Sequence, residues 1–460
     1  MASRSINVGE LIDTGKMSAF QYWVLALCIC VNFIDGYDVQ SMAYVGPAIV
    51  KGWHVSKAVI TPALTSGVVG TVIGTLALGP LADIFGRRKV ILYCLVLACL
   101  GSFGTIFCHS IWALTTLRFI TGLGIGGSYP NAVSLTSEYS SRRSQALMVV
   151  GAVCGNSAGG AIGGSIAAGI IPAFGWESVF FVGGLIPLAL LPLLYFQLPE
   201  SVRFLIIKQR QPGEVARLVG RMRPQLGITA ETRFHIEEVR TEKASVGELF
   251  TGNRSSMTLL VWAMWFTNLI GMFFLSTWLP TVTNDAGLSV ERAVMAASLL
   301  HMGGIIGCLG FGLVVRRLNP CGAISAFYFS GAVSIVLLGM VASQPSAVLI
   351  MAFIAGFCVI GSQISANAVT TRLYPTSIGA TGMSWAFGIG RAGSMLGPML
   401  GGLLLSFKLD VQSLFLVAAV PGTLAALSAF MLMRNSAARA NMKAYDEQQS
   451  AFMAEEKQAL

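Results

Sequence analysis

Charge is what this sequence has least of. Asp, Glu, Lys and Arg together make up 11% of its 460 residues, where soluble globular domains carry about 25%. That shortage excludes an ordinary water-soluble domain. Histidine is nearly as scarce: four copies, at positions 54, 109, 235 and 301, stand far apart. The nine cysteines form no CxxC pair and lie in or beside apolar windows, where they read as small packing residues. Without a metal cluster or a nucleophile–base pair, the chain does not read as an integral enzyme, and neither metal nor cofactor is expected. Residues 1–20 carry Arg4, Glu10, Asp13 and Lys16 and no apolar core of their own. They do not read as a cleavable signal peptide, so the first apolar span serves as the insertion signal.

Apolar residues fill the space that charge leaves. They reach 54% of the chain, and the mean hydropathy is +0.71. Windows long enough to cross about 30 Å of hydrocarbon recur twelve times: 21–44, 59–79, 90–108, 112–137, 145–171, 177–197, 257–281, 293–315, 322–343, 347–371, 380–406 and 411–433. In lipid every backbone polar group must be satisfied internally, so these runs are helices. The 52 glycines fit, since small residues let membrane helices approach closely. The expected class is all-α integral membrane, with twelve transmembrane helices.

The formal net charge of +9 suggests a polyanion partner, but its distribution points to the membrane. With a cytoplasmic N-terminus, Lys51, Lys57, Arg292 and Lys408 fall outside and Arg118 and Arg391 fall within spans. Every other basic residue lies in a cytoplasmic loop or tail. That is the positive-inside pattern, and it puts both termini in the cytoplasm. No nucleic acid is implied.

One long polar interruption divides the chain. It gives a tail at 1–20, a six-helix bundle at 21–198, a linker at 199–256, a second bundle at 257–433 and a tail at 434–460. Within the linker, EVARLVGRMR reads either as an amphipathic helix on the inner surface or as a solvated segment. The halves repeat weakly. Phe119, Ile120, Gly122, Gly127 and Ser128 of RFITGLGIGGS recur as Phe353, Ile354, Gly356, Gly361 and Ser362. Gly151, Ser157, Gly160 and Gly164 recur as Gly388, Ser394, Gly397 and Gly401. Such repeats mark secondary transporters, whose substrate sites lie near the bilayer midplane.

GPLADIFGRRKV, residues 79–90, joins the second and third spans. Gly79 would permit a close helix crossing, and Asp83 would bond a neighbouring helix N-terminus or pair with Arg87. With Gly86 and Arg88, these residues form a polar latch on one side of the membrane. Here the chain resembles the major facilitator superfamily over essentially its whole length. RFITGLGIGG (118–127) and LPESVRFL (198–205) match it too. The resemblance implies two pseudo-symmetric six-helix bundles that alternate access to one site.

DGYD (35–38), SEYSSRR (137–143) and LYPTSIGATGMSWAFGIGRAGSMLGP (373–398) narrow the resemblance to the aromatic acid:proton symporters of bacteria. That likeness implies Asp35 and Asp38 as the signature acids, Glu138 as the acid after the fourth span, and Arg391 as the arginine of the eleventh. Arg142 joins the gate with Glu138. It also implies an inner-membrane importer of a benzoate-like monocarboxylate, with protons as the coupling ion; a monomer is the expected state. Carriers of 4-hydroxybenzoate, protocatechuate and 2,4-dichlorophenoxyacetate are the members it is most similar to, with a lean to the last. Three departures stand out: Arg316 replaces an Asp in VVRRLNP, Gly379 an Arg, and Ile84 an Arg. They put a symmetric cytoplasmic gate in doubt and leave the first span untouched.

Spacing supports coupling independently. Asp35 and Asp38 are three apart and share a helix face. Asp38 lies about six residues below the outer end of the first span, and Arg118 about six below Trp112, so their depths match. An ion pair is the way to hold such groups in hydrocarbon; it serves either structure or coupling. Two acids against one arginine leave one carboxylate underpaired, which suits a reversible proton carrier.

Arg391 falls near the midplane with no acid on its own span, and a guanidinium grips a carboxylate with two parallel hydrogen bonds. Asn268 and His301 are predicted at similar depth. His301 either meets a ring substituent or packs as a neutral core histidine. Trp262, Trp265, Phe273, Phe274, Trp278 and Trp385 either stack an aromatic substrate or anchor the helices in lipid; Tyr37, Trp278 and Trp385 join the binding candidates. Two rival readings stand beside symport. A drug:proton antiporter would carry Gly-Pro on the fifth span, where this chain has CGNSAGGAIGG. A membrane sensor of aromatic acids would carry a signalling domain.

Overall fold

The computed structural model describes residues 5–13, 17–208, 212–226, 232–235, 245–315, 319–407 and 409–459. Arg4, Lys16, Arg316 and Lys408, which entered the readings above, lie outside them. The chain divides into two compact units, Met1–Val239 and Arg240–Leu460.

Twelve long helices match the twelve windows. In the first unit they are α1 (Ala19–Gly52), α2 (Lys57–Ala77), α3 (Arg87–Ile106), α4 (Ile111–Glu138), α5 (Arg142–Phe174) and α6 (Glu177–Gln197). In the second they are α7 (Ser255–Asp285), α8 (Val290–Val314), α9 (Pro320–Met340), α10 (Pro345–Leu373), α11 (Thr376–Ser406) and α12 (Val411–Arg434). A thirteenth, α13 (Ser436–Ala459), follows. Among the described residues, ten of the twelve qualify as membrane spans by length and hydropathy; α4 and α11, glycine-rich and each carrying an arginine, stand outside that set.

Starts are chemically marked. Ser18 caps α1 in a reciprocal box, its hydroxyl accepting from the Gln21 N–H while the Gln21 side chain accepts from the Ser18 N–H. The predicted end of α1 at residue 44 is too early. The helix continues through Pro47 to Gly52, about two turns further, because only the proline's own N–H is lost from its ladder.

The internal repeat is visible in packing. In the first unit α1 packs on α5, α2 on α4, α3 on α4 and α3 on α6; in the second α7 packs on α11, α8 on α10, α9 on α10 and α9 on α12. One repeated pair, Gly122 and Gly356, lies at equivalent crossings. A Cβ on Gly122 of α4 would overlap the Gly67 carbonyl of α2, and one on Gly356 of α10 would overlap the Leu300 carbonyl of α8.

In the linker, the helical alternative holds for EVARLVGRMR. Pro212–Met222 is a helix whose Val215, Leu218, Val219 and Met222 are buried in the core that contains Phe20, Val24, Leu194 and Leu198. Ser5–Asn7 (β1) and Arg233–His235 (β2) pair as parallel strands. Three residues each are too few to show a period in sequence.

Candidate functional site

The acids of the opening helix are both buried, Asp35 at 5% and Asp38 at 8% exposure. Gly36 between them sets the geometry. A Cβ there would overlap the Asn156 backbone, so its absence lets α1 and α5 touch and brings the Asn156 amide to Asp35, to whose Oδ2 it donates. Asp38 faces the other way, into α3 and α4. Arg118 Nη1 lies 3.1 Å from Asp38 Oδ1, and the Ser102 hydroxyl donates to the same oxygen at 3.0 Å.

Arg118 is 2% exposed and almost fully engaged. Its Nη2 donates to Thr105 Oγ1 at 2.7 Å, Thr121 Oγ1 at 3.2 Å and the Gly101 carbonyl at 3.4 Å. The guanidinium also lies 4.5 Å from the Phe180 ring centre. Its Nε is buried without an acceptor among the described residues. Beside the pair is a cavity of about 20 Å³ lined by Asp38, Thr71, Arg118, Gly67 and Gly122 among others. That is room for about one water with polar partners. The arrangement can therefore hold a charge in an apolar bundle beside space for about one water.

The second unit is built differently. Asn268 on α7 is 2% exposed and donates to Gln363 Oε1 of α10 at 2.5 Å. His301 is 3% exposed, and neither ring nitrogen has a hydrogen-bond partner among the described residues. Arg391 on α11 is half-buried, its guanidinium 4.8 Å from the Phe387 ring centre. Trp385 is 41% exposed and stacked on Trp262 with ring centres 5.7 Å apart.

Two of the binding candidates, Trp278 and Tyr37, make helix–helix contacts. Trp278 is fully buried, donates Nε1 to the Pro398 carbonyl at 2.9 Å and lies against Gly401. It joins α7 to α11. Tyr37 is 1% exposed, donates its hydroxyl to the Val179 carbonyl at 2.8 Å and fits its ring against Gly163 and Gly183. Tyr37 follows the period of its helix into the bundle core, where a hydroxyl must find an acceptor.

The latch also differs from its sequence reading. Arg87 pairs with Glu138 at 2.8 Å and bonds Ser134; its partner is not Asp83, which is exposed. The Ser201 hydroxyl donates to Glu138 at 2.5 Å. Glu200 accepts the N–H groups of Arg88 at 3.1 Å and Ser201 at 2.9 Å, and the Tyr139 hydroxyl donates to its carbonyl at 2.7 Å. Burial pushes the Glu200 carboxyl up from its ordinary value, and those backbone donors oppose the push. Gly86 adopts φ +100°, and a Cβ would overlap the Glu200 carboxylate. Gly79 is no helix crossing: a Cβ there would meet only the Thr75 carbonyl of its own chain segment. Arg142 is 74% exposed and pairs with Asp13 at 3.1 Å, away from Glu138.

Asn156, Ser102, Thr105, Thr121, Phe180, Glu200 and Ser201 had no role in the sequence reading. Only Asn156, a polar side chain among the glycines of CGNSAGG, and Glu200, an acid in LPESVRFL, carried a visible signal.

Comparison with known proteins agrees with this architecture. The Major Facilitator Superfamily matches residues 28–389. The gallate transporter of Pseudomonas putida is 37% identical over 92% of this chain and 94% of its own. The 4-hydroxybenzoate transporter of Pseudomonas aeruginosa is 34% identical over 92% and 95%. The benzoate transport protein of Acinetobacter baylyi is 30% identical over 94% and 93%. Among solved structures, the xylose transporter XylE from E. coli, partially occluded and inward open, superposes with a TM-score of 0.70 at 14% identity, covering 90% of this chain and 98% of that one. The chain is a multi-pass membrane transporter and belongs to the major facilitator superfamily, similar there to carriers of aromatic acids.

Proposed function

We propose that this protein imports a ring-hydroxylated benzoate together with protons. It would sit in the bacterial inner membrane with both termini in the cytoplasm. The observation that carries the reading is the Asp38–Arg118 pair, buried in an apolar bundle beside a second acid, Asp35. A buried pair of this kind is weak evidence for stability, and ionisable groups at membrane depth mark proton and substrate pathways. The substrate class rests on the relatives named above, which carry gallate, 4-hydroxybenzoate and benzoate by name. The lean to a chlorophenoxyacetate has no counterpart among them, so the hydroxylated ring is preferred.

In this reading Arg391 holds the substrate carboxylate, Trp385 offers an exposed indole face to the ring, and Asp35 or Asp38 carries the proton. His301 and Asn268 supply polar contacts to ring substituents. Arg87, Arg88, Glu138 and Asp83 gate the cytoplasmic end. No cofactor takes part beyond the coupling proton.

Uptake of labelled 4-hydroxybenzoate, gallate, benzoate and 2,4-dichlorophenoxyacetate into proteoliposomes tests it. A pH gradient, inside alkaline, should drive accumulation, and a protonophore should abolish it. Asp→Asn at the proton carrier mimics the protonated state, so exchange should survive while accumulation disappears. Accumulation undiminished by the protonophore would sink the symport reading. Exchange lost in both Asp35→Asn and Asp38→Asn would sink the division of labour.

A further inference from the structure

We infer that the first unit carries a binding site for the phosphate group of an anionic phospholipid. The site is the cleft between the amphipathic helix Pro212–Met222 and the adjoining ends of α3 and α6. The cleft encloses about 240 Å³ and is lined by Arg88, Tyr195, Phe196, Glu214, Arg217 and Arg221 among others. Three arginines face one glutamate. That volume lies below the 300–1,000 Å³ typical of pockets for drug-sized ligands.

Three observations point to an anion held at a bilayer surface. Arg88 is fixed by its surroundings: its Nη2 bonds the Tyr195 carbonyl, and its guanidinium lies 5.6 Å from the Tyr195 ring centre. Its Nε is nevertheless buried with no acceptor among the described residues. A buried guanidinium N–H without an acceptor is costly, and a phosphate oxygen would satisfy it. Second, the other cations come on a rigid element. Val215, Leu218, Val219 and Met222 bury one face of the linker helix, so Arg217 and Arg221, one turn apart, are held at the opening. Arg217 reaches Glu214 only at 3.7 Å and is 70% exposed, and Arg221 stacks 4.1 Å from the Phe20 ring centre. Third, Tyr195 and Phe196 on the last turn of α6 are 58% and 78% exposed. Aromatic side chains at the end of a spanning helix sit at headgroup level, and basic pockets between such helices on the cytoplasmic side hold anionic headgroups. The linker helix would thus be tied to the leaflet that the charge distribution assigns to the cytoplasm.

The test uses the full-length protein, delipidated in neutral detergent. Phosphatidylglycerol, phosphatidylcholine and inorganic phosphate are titrated separately, with bound lipid counted by native mass spectrometry and melting temperature read in parallel. Wild type should retain phosphatidylglycerol over phosphatidylcholine and melt higher with it. Removing an arginine should weaken retention about fivefold each time, so Arg217→Gln with Arg221→Gln should nearly abolish the preference. Arg217→Lys with Arg221→Lys should keep most of it. Equal retention by wild type and the double Gln variant would overturn the site. Stabilisation by millimolar inorganic phosphate matching that by phosphatidylglycerol would overturn the lipid assignment in favour of a soluble anion. If the double Gln variant does not fold, the exposed single Arg217→Gln reads the same preference.

Discussion

The two units share one packing plan and fill it with opposite electrostatics. In the first, a complete ion pair sits within the helices, with Ser102, Thr105 and Thr121 around it and a second acid on Asn156. In the second, among the described residues, Arg391 is the charge near mid-helix, and the buried hydrogen-bonded pairs join uncharged side chains, Asn268 with Gln363 and Trp265 with Thr370. Asp285 and Glu291 stand only at helix ends. An acid–arginine pair needs no ligand to be tolerable in hydrocarbon. Arg391 is half-buried and lies over the Phe387 ring, and a guanidinium can grip a carboxylate with two parallel hydrogen bonds. The proposed function assigns proton handling to the first unit and substrate handling to the second.

The largest effect should come from breaking the pair from one side. Arg118→Met leaves the Asp38 carboxylate buried beside Ser102 alone, and removing one partner of a buried pair costs about 3–5 kcal/mol. The thermal melt in detergent should collapse, and adding Asp38→Asn should recover much of the loss without restoring gradient-driven uptake. A melt unchanged in Arg118→Met would mean the pair is water-filled and the contrast between units false.

Next is the crossing that aligns the acids. Gly36→Ala places a Cβ on the Asn156 backbone, and such overpacking costs about 1–3 kcal/mol. On α5, Gly151→Ala meets nothing within 4 Å and should be neutral or slightly stabilising. Equal melts for the two would show that α1 and α5 part easily.

The second unit should respond in binding rather than stability. Arg391→Lys keeps the charge and loses the planar fork, so substrate affinity should fall at least about tenfold while the melt stays near wild type. An affinity like wild type would leave the second unit without its proposed anchor. Smallest in stability is Asp83→Asn. Asp83 is exposed, and surface substitutions usually stay within about 0.5 kcal/mol. Transport should slow with binding intact; a matching loss of affinity would place Asp83 in the site rather than the gate.

Sequence alone determined the twelve long apolar helices and which of them carry charged residues. These follow from free energies that are local: apolar length against bilayer thickness, and the cost of each ionised group in lipid. It also made Arg118 the natural partner for an acid of α1, even though the predicted end of that helix was wrong. Only tertiary structure decided that Asp38 takes the arginine and Asp35 the Asn156 amide. It decided that Tyr37 and Trp278 close helix contacts while Trp385 stays open, and that Arg87 turns to Glu138 rather than Asp83. Those choices depend on helix phase and on how closely neighbouring backbones approach at Gly36, Gly122 and Gly356. A rotation of 100° per residue moves a side chain from lipid to core within two positions, and the partner it finds there lies dozens of residues away in the chain.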